Sequence, residues 1–347
     1  MASPIIQQLK KSLSPRSPIM RFKSPFKVKQ IDGKLSVPVP DSDYINVKVH
    51  FQSVSPCRRQ LFKDGASFNN SKVPKMCNPL SFEPCIKDIL DNGIDEKQYY
   101  ILGKGTFGTV ILSCLRGEKA AVKVVKMTID QSTINRERNA LVLSHVNIID
   151  VRQVIFNPIK KYGIVVMEAW SPLTLQAVNE EAIQISIEDS IRIMIGISKA
   201  LEYCHEVDIV HLDVKPKNIL LDLKAMQSKL CDFGNSYNMK SPIPLKNIQG
   251  TVAYLAPEVF QGKKVTDKCD VYSFGITLWQ ILHKENPYNG LEKHIIIYQV
   301  VANKERPKTL YKCETKGYIK LYEKCWNEEP SQRPSMSYVT NNLLLMI

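Results

Sequence analysis

Three short blocks of residues, which follow one another between Val210 and Glu258, constrain the structure of this chain more than any other feature. They read V-H-L-D-V-K-P-K-N at 210–218, C-D-F-G at 231–234 and G-T-V-A-Y-L-A-P-E at 250–258. An isolated D-F-G predicts no more than a surface turn, and any one block could arise by chance. Three blocks in this order and at this spacing rarely do, so their polar residues are predicted to serve one site.

The residue types in these blocks suit the transfer of a phosphoryl group from ATP. Negative charge in such a reaction spreads over three oxygens, so the protein mainly orients the reactants and supplies cations. Asp213 is predicted to accept the proton of the acceptor hydroxyl, and Lys215 to offset charge on the phosphoryl oxygens. Asn218 and Asp232 offer hard oxygen ligands, which suit Mg²⁺ held jointly with nucleotide phosphates. Thr251 is expected to hydrogen-bond both Asp213 and Lys215.

A glycine-rich segment upstream predicts where nucleotide phosphates bind. Residues 99–110 read Y-Y-I-L-G-K-G-T-F-G-T-V, an apolar strand leading into glycines that permit a tight hairpin. Dinucleotide-binding folds share the G-x-G-x-x-G spacing but open a helix here, whereas this chain continues as strand, turn at 116–117 and strand. The candidate nucleotide-binding residues of this segment are Leu102, Gly103, Lys104, Gly105, Thr106, Phe107, Gly108, Thr109 and Val110.

The next strand and the helix predicted after it supply a lysine and an acid. The strand K-A-A-V-K-V-V contains Ala121, expected to line the nucleotide site, and Lys123, expected to hold the α- and β-phosphates. An acidic partner for this lysine is expected on the following helix. Glu137 lies there, with Leu141 one turn later on the face predicted to turn inward. A solvated helix charge is the alternative interpretation of Glu137.

Together these motifs resemble those of the protein kinases. The resemblance implies an α+β fold with two lobes and the cofactors ATP and Mg²⁺. The small N-lobe, mostly antiparallel β-sheet with one key helix, is expected at about 96–167 and the larger helical C-lobe at 171–347. Between them lies a hinge, in which the backbone of Glu168 to Trp170 is expected to bind adenine while Met167 backs the pocket.

The region after the hinge is predicted to be helical. A capping-box-like start at Ser186 precedes an apolar stripe at helical spacing, which indicates a core helix. The stripe consists of Ile191, Ile195, Ile197, Leu201 and Cys204. Asp270 is expected, from the resemblance, to anchor the backbone of the catalytic loop. Glu258 and Arg333 are expected to form a buried ion pair that fixes the substrate-side segment.

Residues 1–95 differ in kind from the rest of the chain. They carry Ser-Pro at positions 3, 14, 17, 24 and 55 among many lysines and arginines, without apolar periodicity, which predicts a largely disordered tail. Its serines are interpreted either as sites for proline-directed kinases or as unmodified linker. The net charge of +13 comes without an aromatic platform or a nucleic-acid-binding motif, so no nucleic-acid partner is expected.

Cysteine usage and hydropathy predict the compartment. The nine cysteines include no C-x-x-C pair, which favours reduced thiols over a disulfide framework or a zinc site. No apolar stretch approaches the ~20 residues needed to span a bilayer, and the N-terminus lacks the apolar region of a signal peptide. We therefore expect a soluble, intracellular protein without a membrane partner. A monomer is expected as well.

Within the kinases, the chain resembles the Mos family. The similarity lies in H-L-D-V-K-P-K-N, in Y-S-F-G-I-T-L-W-Q at 272–280, in V-V-A-N-K-E-R-P at 300–307 and in K-C-W-N-E-E-P-S-Q-R-P at 324–334. Lys215 with Pro216 follows the serine/threonine pattern, since tyrosine kinases usually carry A-A-R or R-A-A there. The resemblance implies a cytoplasmic MAP kinase kinase kinase that acts on a MAP kinase kinase during oocyte meiotic maturation. A kinase of Raf or mixed-lineage type, and a kinase-fold scaffold without turnover, remain open as alternatives.

One position departs from the usual kinase motif. Leu212 stands where most kinases have the arginine of H-R-D, which pairs with a phosphate on the activation segment and orders it. Leucine cannot bind phosphate, so activity is not expected to depend on a phosphate held at this position. Alanine at Ser236, Tyr237 or Ser241 is accordingly expected to leave most activity.

Overall fold

A five-stranded antiparallel sheet forms the first part of the structure. The structure is a computed structural model that describes residues 100–347 except 106–107, 116–117, 127–131, 158, 160–161, 182, 244–249 and 311–314. The predicted tail at 1–95 lies outside the described residues, as do Thr106 and Phe107. The strands are β1 Tyr100–Gly105, β2 Gly108–Leu115, β3 Glu118–Lys126, β4 Val151–Asn157 and β5 Tyr162–Glu168, in the spatial order β1-β2-β3-β5-β4.

Side chains alternate between the two faces of this sheet, and the two faces serve different purposes. One face forms an apolar cluster, which consists of Ile111, Ala120, Val122, Val124, Tyr162, Ile164 and Val166. The intervening positions, among them Ala121 and Lys123 of β3, point to the other face. Val110 pairs with Lys123 and Met167 with Ala121, so these four residues share that second face. The alternation thus separates the core of the sheet from the residues predicted to meet ATP.

The helix after β3 is shorter than predicted. Helix α1 covers Ser132–Glu137 and continues as a 3₁₀ turn at Arg138–Val142. The expectation that Leu141 turns inward is wrong, because this side chain is 43% exposed. A 3₁₀ turn has three residues per turn, so the inward face passes from Glu137 to Ala140 and Leu143, which are both buried.

The C-lobe is helical, as expected from the sequence. Its helices are α2 Leu175–Glu180, α3 Ile187–Glu206, α4 Pro257–Phe260, α5 Lys268–His283, α6 Lys293–Val301, α7 Lys316–Cys325 and α8 Met336–Leu344. The predicted start of α3 is confirmed, because the Ser186 hydroxyl accepts a hydrogen bond from the Asp189 amide at 2.9 Å. All five residues of the predicted apolar stripe on α3 are buried.

Short strands between α3 and α4 flank two of the three sequence blocks. They are β6 Ile209–Val210, β7 Ile219–Asp222, β8 Gln227–Leu230 and β9 Tyr237–Asn238; β6 pairs with β9, and β7 with β8. The H-L-D block follows β6, and C-D-F-G follows β8. These pairings bring the two blocks side by side. In the part of the chain that the structure describes, no helix is long and apolar enough to cross a membrane.

Candidate active site

A lysine from the sheet and two acids from distant parts of the chain meet beneath the glycine-rich strands. The Lys123 ammonium lies 2.5 Å from Glu137 Oε1 and 2.6 Å from Asp232 Oδ1. Glu137 is buried, so it is not a solvated helix charge. Asp232 adopts a left-handed backbone (φ 70°), which Asp tolerates better than most residues, and precedes the 3₁₀ turn Phe233–Asn235. The structure therefore brings β3, α1 and the C-D-F-G block together at one ammonium group.

The three charged groups of this cluster shift one another's pKa values. Burial opposes the charge of Lys123, but the carboxylates of Asp232 and Glu137 raise its pKa above the ordinary value. Burial likewise opposes ionisation of Asp232, and the Lys123 ammonium holds its pKa below the ordinary value. Burial raises the pKa of Glu137, against the opposing effect of Lys123. Burial, and then the neighbouring Asp232, raise the pKa of the Cys231 thiol to about 12.

The carboxylate of Asp213 is held at both oxygens. Its Oδ1 accepts hydrogen bonds from the backbone amide and the hydroxyl of Thr251, at 3.0 and 2.8 Å. Its Oδ2 accepts from Lys215 Nζ at 2.6 Å, from Asn218 Nδ2 at 3.1 Å and from Asn235 Nδ2 at 3.3 Å. Lys215 also donates to the Thr251 hydroxyl at 2.6 Å, as expected. The carboxylate is thus fixed in one orientation, which a proton acceptor requires.

Asp270 at the start of α5 anchors the loop that carries Asp213. Its two oxygens accept hydrogen bonds from the backbone amides of His211, at 2.7 Å, and Leu212, at 2.8 Å. The ring of His205 lies 2.9 Å from the same carboxylate. Leu212 has a left-handed backbone (φ 60°), and its side chain is only 1% exposed. The predicted anchor is confirmed, and the leucine is core rather than a surface group.

The nucleotide-binding candidates on the sheet fall into two sets. Val110, Ala121 and Met167 share the face of Lys123, whereas Thr109 pairs with Val124 on the opposite, apolar face. The alternation of side chains along β2 thus directs the Thr109 side chain away from Lys123, and only its backbone remains available to phosphates. Gly108 has φ +154°, and a Cβ there would lie 1.9 Å from the Val124 carbonyl oxygen, so this position requires glycine.

The rest of the glycine-rich segment and the hinge are placed as follows. Leu102 lies at an irregularity in the pairing of β1 with β2, next to Gly103, and Lys104 with Gly105 completes β1. At the other end of the cleft, the Glu168 carboxylate accepts hydrogen bonds from Lys229 Nζ, at 2.6 Å, and from the Asp150 amide, at 2.9 Å. Lys229 also lies 5.8 Å from the Trp170 ring centroid. The backbone amide of Glu168 is engaged as well, since it donates to the Asp150 carbonyl at 2.9 Å.

A second ion pair lies on the substrate side of the C-lobe. Arg333 donates to Glu258 through two nitrogens, at 2.6 and 2.8 Å, and both side chains are almost completely buried. Arg333 also donates to the backbone carbonyls of Lys268 and Asn327, each at 2.8 Å. The predicted pair is therefore confirmed, and it joins the A-P-E block to the start of α5 and the end of α7.

Comparison with known proteins decides the family. Residues 97–345 match the family described as protein kinase domain. The chain belongs to the protein kinase family. The kinase is 33% identical over 251 residues to serine/threonine-protein kinase mos of Patiria pectinifera, which covers 69% of this chain and 72% of that protein. It therefore phosphorylates serine or threonine and uses ATP and Mg²⁺.

Two further relatives carry the name mitogen-activated protein kinase kinase kinase 7. The putative 7-like protein of Drosophila melanogaster is 32% identical over 248 residues, which are 69% of this chain and 63% of the relative. The Homo sapiens protein is 30% identical over 247 residues, 69% of this chain and 40% of the relative. The kinase thus spans less than two thirds of the length of these two relatives.

The two residues predicted as metal ligands fit Mg²⁺. Asn218 uses its amide nitrogen on the backbone oxygen and the Oδ2 of Asp213, at 2.9 and 3.1 Å, which leaves its amide oxygen for a cation. Asp232 keeps 26% of its side chain exposed beside Lys123. Mg²⁺ prefers such hard oxygens and usually binds one or two protein ligands together with substrate phosphates. Asn218 and Asp232 would hold the ion, which when bound neutralises charge on the phosphates.

Two residues after C-D-F-G were not predicted as part of this site. Asn235 is buried, and its amide nitrogen reaches Asp213. Ser236 is fully buried and donates a hydrogen bond to the Arg136 carbonyl of α1, which argues against the untested expectation that alanine here leaves most activity. The sequence signal for both is a pair of polar residues directly after Gly234, where a solvated loop is the simpler interpretation.

Proposed function

We propose that this kinase is a Mos-like MAP kinase kinase kinase, which transfers the γ-phosphate of ATP to serine or threonine of a MAP kinase kinase. The similarity to the mos kinase of Patiria pectinifera supports the Mos-like assignment, and the MAP kinase kinase kinase 7 relatives support the level in the cascade. By the same resemblance, the setting is the cytoplasm of an oocyte in meiotic maturation. The protein is further proposed to act as a monomer.

The proposed roles of the site residues follow from the reaction. Asp213 accepts the proton of the substrate hydroxyl, and Lys215 offsets charge on the transferred group. Lys123, held by Glu137, binds the α- and β-phosphates. Thr251 holds Asp213 and Lys215 at their mutual distance of 2.6 Å. The glycine-rich strands, Ala121 and Met167 enclose the nucleotide, and the backbone of the hinge from Glu168 to Trp170 binds adenine.

One observation carries the proposal that the protein turns over substrate rather than acting as a scaffold. The ammonium of Lys123 is already engaged by both Glu137 and Asp232, at 2.5 and 2.6 Å. Active kinases need this lysine–glutamate pair and the metal-binding aspartate in place at the same time. A scaffold has no use for buried charges, which are costly to retain. The alignment of these groups therefore favours catalysis.

The second candidate function is that of a MAP kinase kinase kinase 7-like kinase in another pathway. Relatives of that name are 30–32% identical, close to the 33% of the mos relative. Kinases of Raf or mixed-lineage type belong to the same class of alternatives. All of them share the chemistry of the site and differ in the protein substrate, so the substrate must be tested directly.

The test is transfer of radiolabelled γ-phosphate from Mg-ATP to a catalytically inactive MAP kinase kinase. The wild-type chain is compared with Asp213→Asn and Lys123→Arg, and the phosphorylated residues are mapped. We expect label on activation-segment serines of the substrate, lost in both variants. Label on a generic substrate but none on the MAP kinase kinase would overturn the proposed level in the cascade. Binding of ATP without transfer to any substrate would overturn catalysis and favour a scaffold.

A further inference from the structure

Helix α1 is held against the activation segment in this kinase without the phosphate-binding arginine that many kinases use. In many kinases a phosphate on the activation segment, held by the arginine of H-R-D, orders that segment and the helix beside it. Here the position is Leu212, whose side chain is buried and uncharged. Helix α1 nevertheless presents Glu137 to Lys123 at 2.5 Å. Another contact must hold the helix against the segment that follows Asp232.

Ser236 makes that contact through a single hydroxyl group. Its Oγ donates a hydrogen bond to the backbone carbonyl of Arg136, at 3.0 Å, and accepts one from Asn139 Nδ2, at 2.9 Å. The serine is fully buried, so water does not compete for either bond. Arg136 directly precedes Glu137, and Asn139 follows it by two residues. The hydroxyl therefore bonds the last turn of α1 and the 3₁₀ turn that follows it, on either side of Glu137 along the chain.

A close approach beside Ser236 makes the same junction tight. A Cβ on Gly234 would lie 3.1 Å from Glu137 Oε1 and 3.2 Å from a Thr133 methyl group, closer than most such contacts. The segment from Phe233 to Ser236 thus packs directly on α1. A shift of α1 or of the segment from Phe233 to Ser236 would separate Glu137 from Lys123. The reason is that Lys123, Glu137 and Asp232 meet in a single hydrogen-bonded cluster.

We propose that Ser236 is a positioning residue for phosphoryl transfer, and that its hydroxyl holds α1 in the catalytically competent place without any phosphate on the activation segment. The proposal rests on the proposed roles of Lys123, Glu137 and Asp232. Ser236 acts through Glu137 and does not touch the reacting atoms. A serine modified by phosphorylation would have to leave its buried place, so Ser236 serves as an unmodified hydroxyl.

The decisive comparison is between Ser236→Ala and Ser198→Ala in the full chain. Ser198 is a matched control, because it too is fully buried, donates to a backbone carbonyl at 2.9 Å and accepts from a hydroxyl at 2.9 Å. It lies on α3, far along the chain from α1. Both variants lose one buried hydroxyl, but only the first loses a contact to α1. Asn139→Ala, at a half-buried position, removes only the hydrogen bond that the Ser236 hydroxyl accepts, and we expect the variant to fold.

Two readouts separate positioning from simple stabilisation. The first is kcat on a generic serine/threonine substrate, a measurement that does not require the physiological substrate. Lys123→Arg serves as the inactive reference. The second is hydrogen exchange of the amides in Ser132–Glu137, which does not depend on activity. We expect Ser236→Ala to lower kcat about tenfold and Asn139→Ala about threefold, since fewer molecules hold the competent arrangement. Both should speed exchange in α1, whereas Ser198→Ala should change neither.

The coupling of the two residues provides a further check. Asn139 acts through the Ser236 hydroxyl, so the double variant should resemble Ser236→Ala alone rather than the product of the two effects. Equal kcat and equal α1 exchange in Ser236→Ala and Ser198→Ala would overturn the proposal. Additive losses in the double variant would overturn the proposed link between the two residues. If the wild-type chain phosphorylates no substrate, the catalytic assignment fails, while faster exchange in Ser236→Ala alone would still establish the contact.

Discussion

Two buried ion clusters of this kinase look alike in chemistry but differ in how they are built. Lys123 meets Glu137 and Asp232, and Asp232 stays 26% exposed toward the cleft. Arg333 meets Glu258 in a bidentate pair whose side chains are 0% and 4% exposed. The first cluster joins β3, α1 and a loop through single contacts, whereas in the second Arg333 also donates to the backbone carbonyls of Lys268 and Asn327.

The difference separates function from support. The lysine cluster keeps one carboxylate accessible, so it can accept a ligand at the cost of looser fixation. The arginine pair satisfies its donors within the protein, and the guanidinium also lies 5.0 Å from the Tyr272 ring. Disturbing the first should therefore change activity more than stability, and disturbing the second the reverse.

The largest effect is expected at the residue nearest the chemistry. Asp213→Asn keeps the size of the side chain but removes the proton acceptor, so kcat should fall about a thousandfold. The unfolding free energy should change much less. Steady-state kinetics and urea unfolding of the same preparation measure both. A loss of less than tenfold in kcat would contradict the role of Asp213 as the proton acceptor.

The arginine pair should show the opposite pattern. Arg333→Ala leaves the buried Glu258 without its partner, and the unfolding free energy should drop by about 3–5 kcal/mol. Arg152→Ala is the control, because its pair with Glu118 is exposed and long, at 3.4 Å. Exposed pairs are worth about 0–1 kcal/mol. Urea midpoints of the two variants that do not differ would refute the supporting role of Arg333.

Asp270 shares one feature with each cluster. It is buried like Glu258, and it holds the loop that carries Asp213. Asp270→Asn places the NH₂ group of the new side-chain amide against the backbone N–H of either His211 or Leu212, which then lacks an acceptor. The unfolding free energy should fall by about 1–3 kcal/mol. We expect kcat to fall about tenfold, with the affinity for ATP retained. Calorimetric ATP binding together with kinetics checks this, and unchanged kcat would show that the loop keeps its shape without the anchor.

The smallest effect is expected on the activation segment outside Ser236. Leu212 offers no charge to a phosphate, so removing a hydroxyl from Tyr237 or Ser241 should change kcat by less than about twofold. Tyr237→Phe and Ser241→Ala, assayed beside a phosphatase-treated wild-type sample, test this. A strong loss in either variant would mean that another cation of the kinase takes the place of the missing arginine.

The sequence predicted best what lies close together along the chain. Asp213 and Asn218 belong to one loop of fixed spacing, so their contact could be predicted without a structure. The start and the apolar stripe of α3 followed from its sequence pattern, whereas the two lobes and the Glu258–Arg333 pair followed from the resemblance to protein kinases. The inward face after Glu137 could not be predicted, because a change from α-helix to 3₁₀ turn leaves no mark on the apolar pattern.

Some contacts between distant segments could not be predicted from the sequence either. The bond of Ser236 to Arg136 joins residues that are 100 positions apart, and nothing in either segment alone indicates it. Thr109 lies within the glycine-rich motif, yet strand alternation turns its side chain to the apolar face. A motif gives the order of residues along the chain, whereas the choice of face depends on the register between strands.

The thiol that precedes Asp232 has a consequence for inhibitor chemistry. Burial, and then the neighbouring Asp232, raise the pKa of Cys231 to about 12, so little of this thiol is the reactive thiolate at neutral pH. Electrophilic compounds aimed at Cys231 would therefore alkylate it slowly.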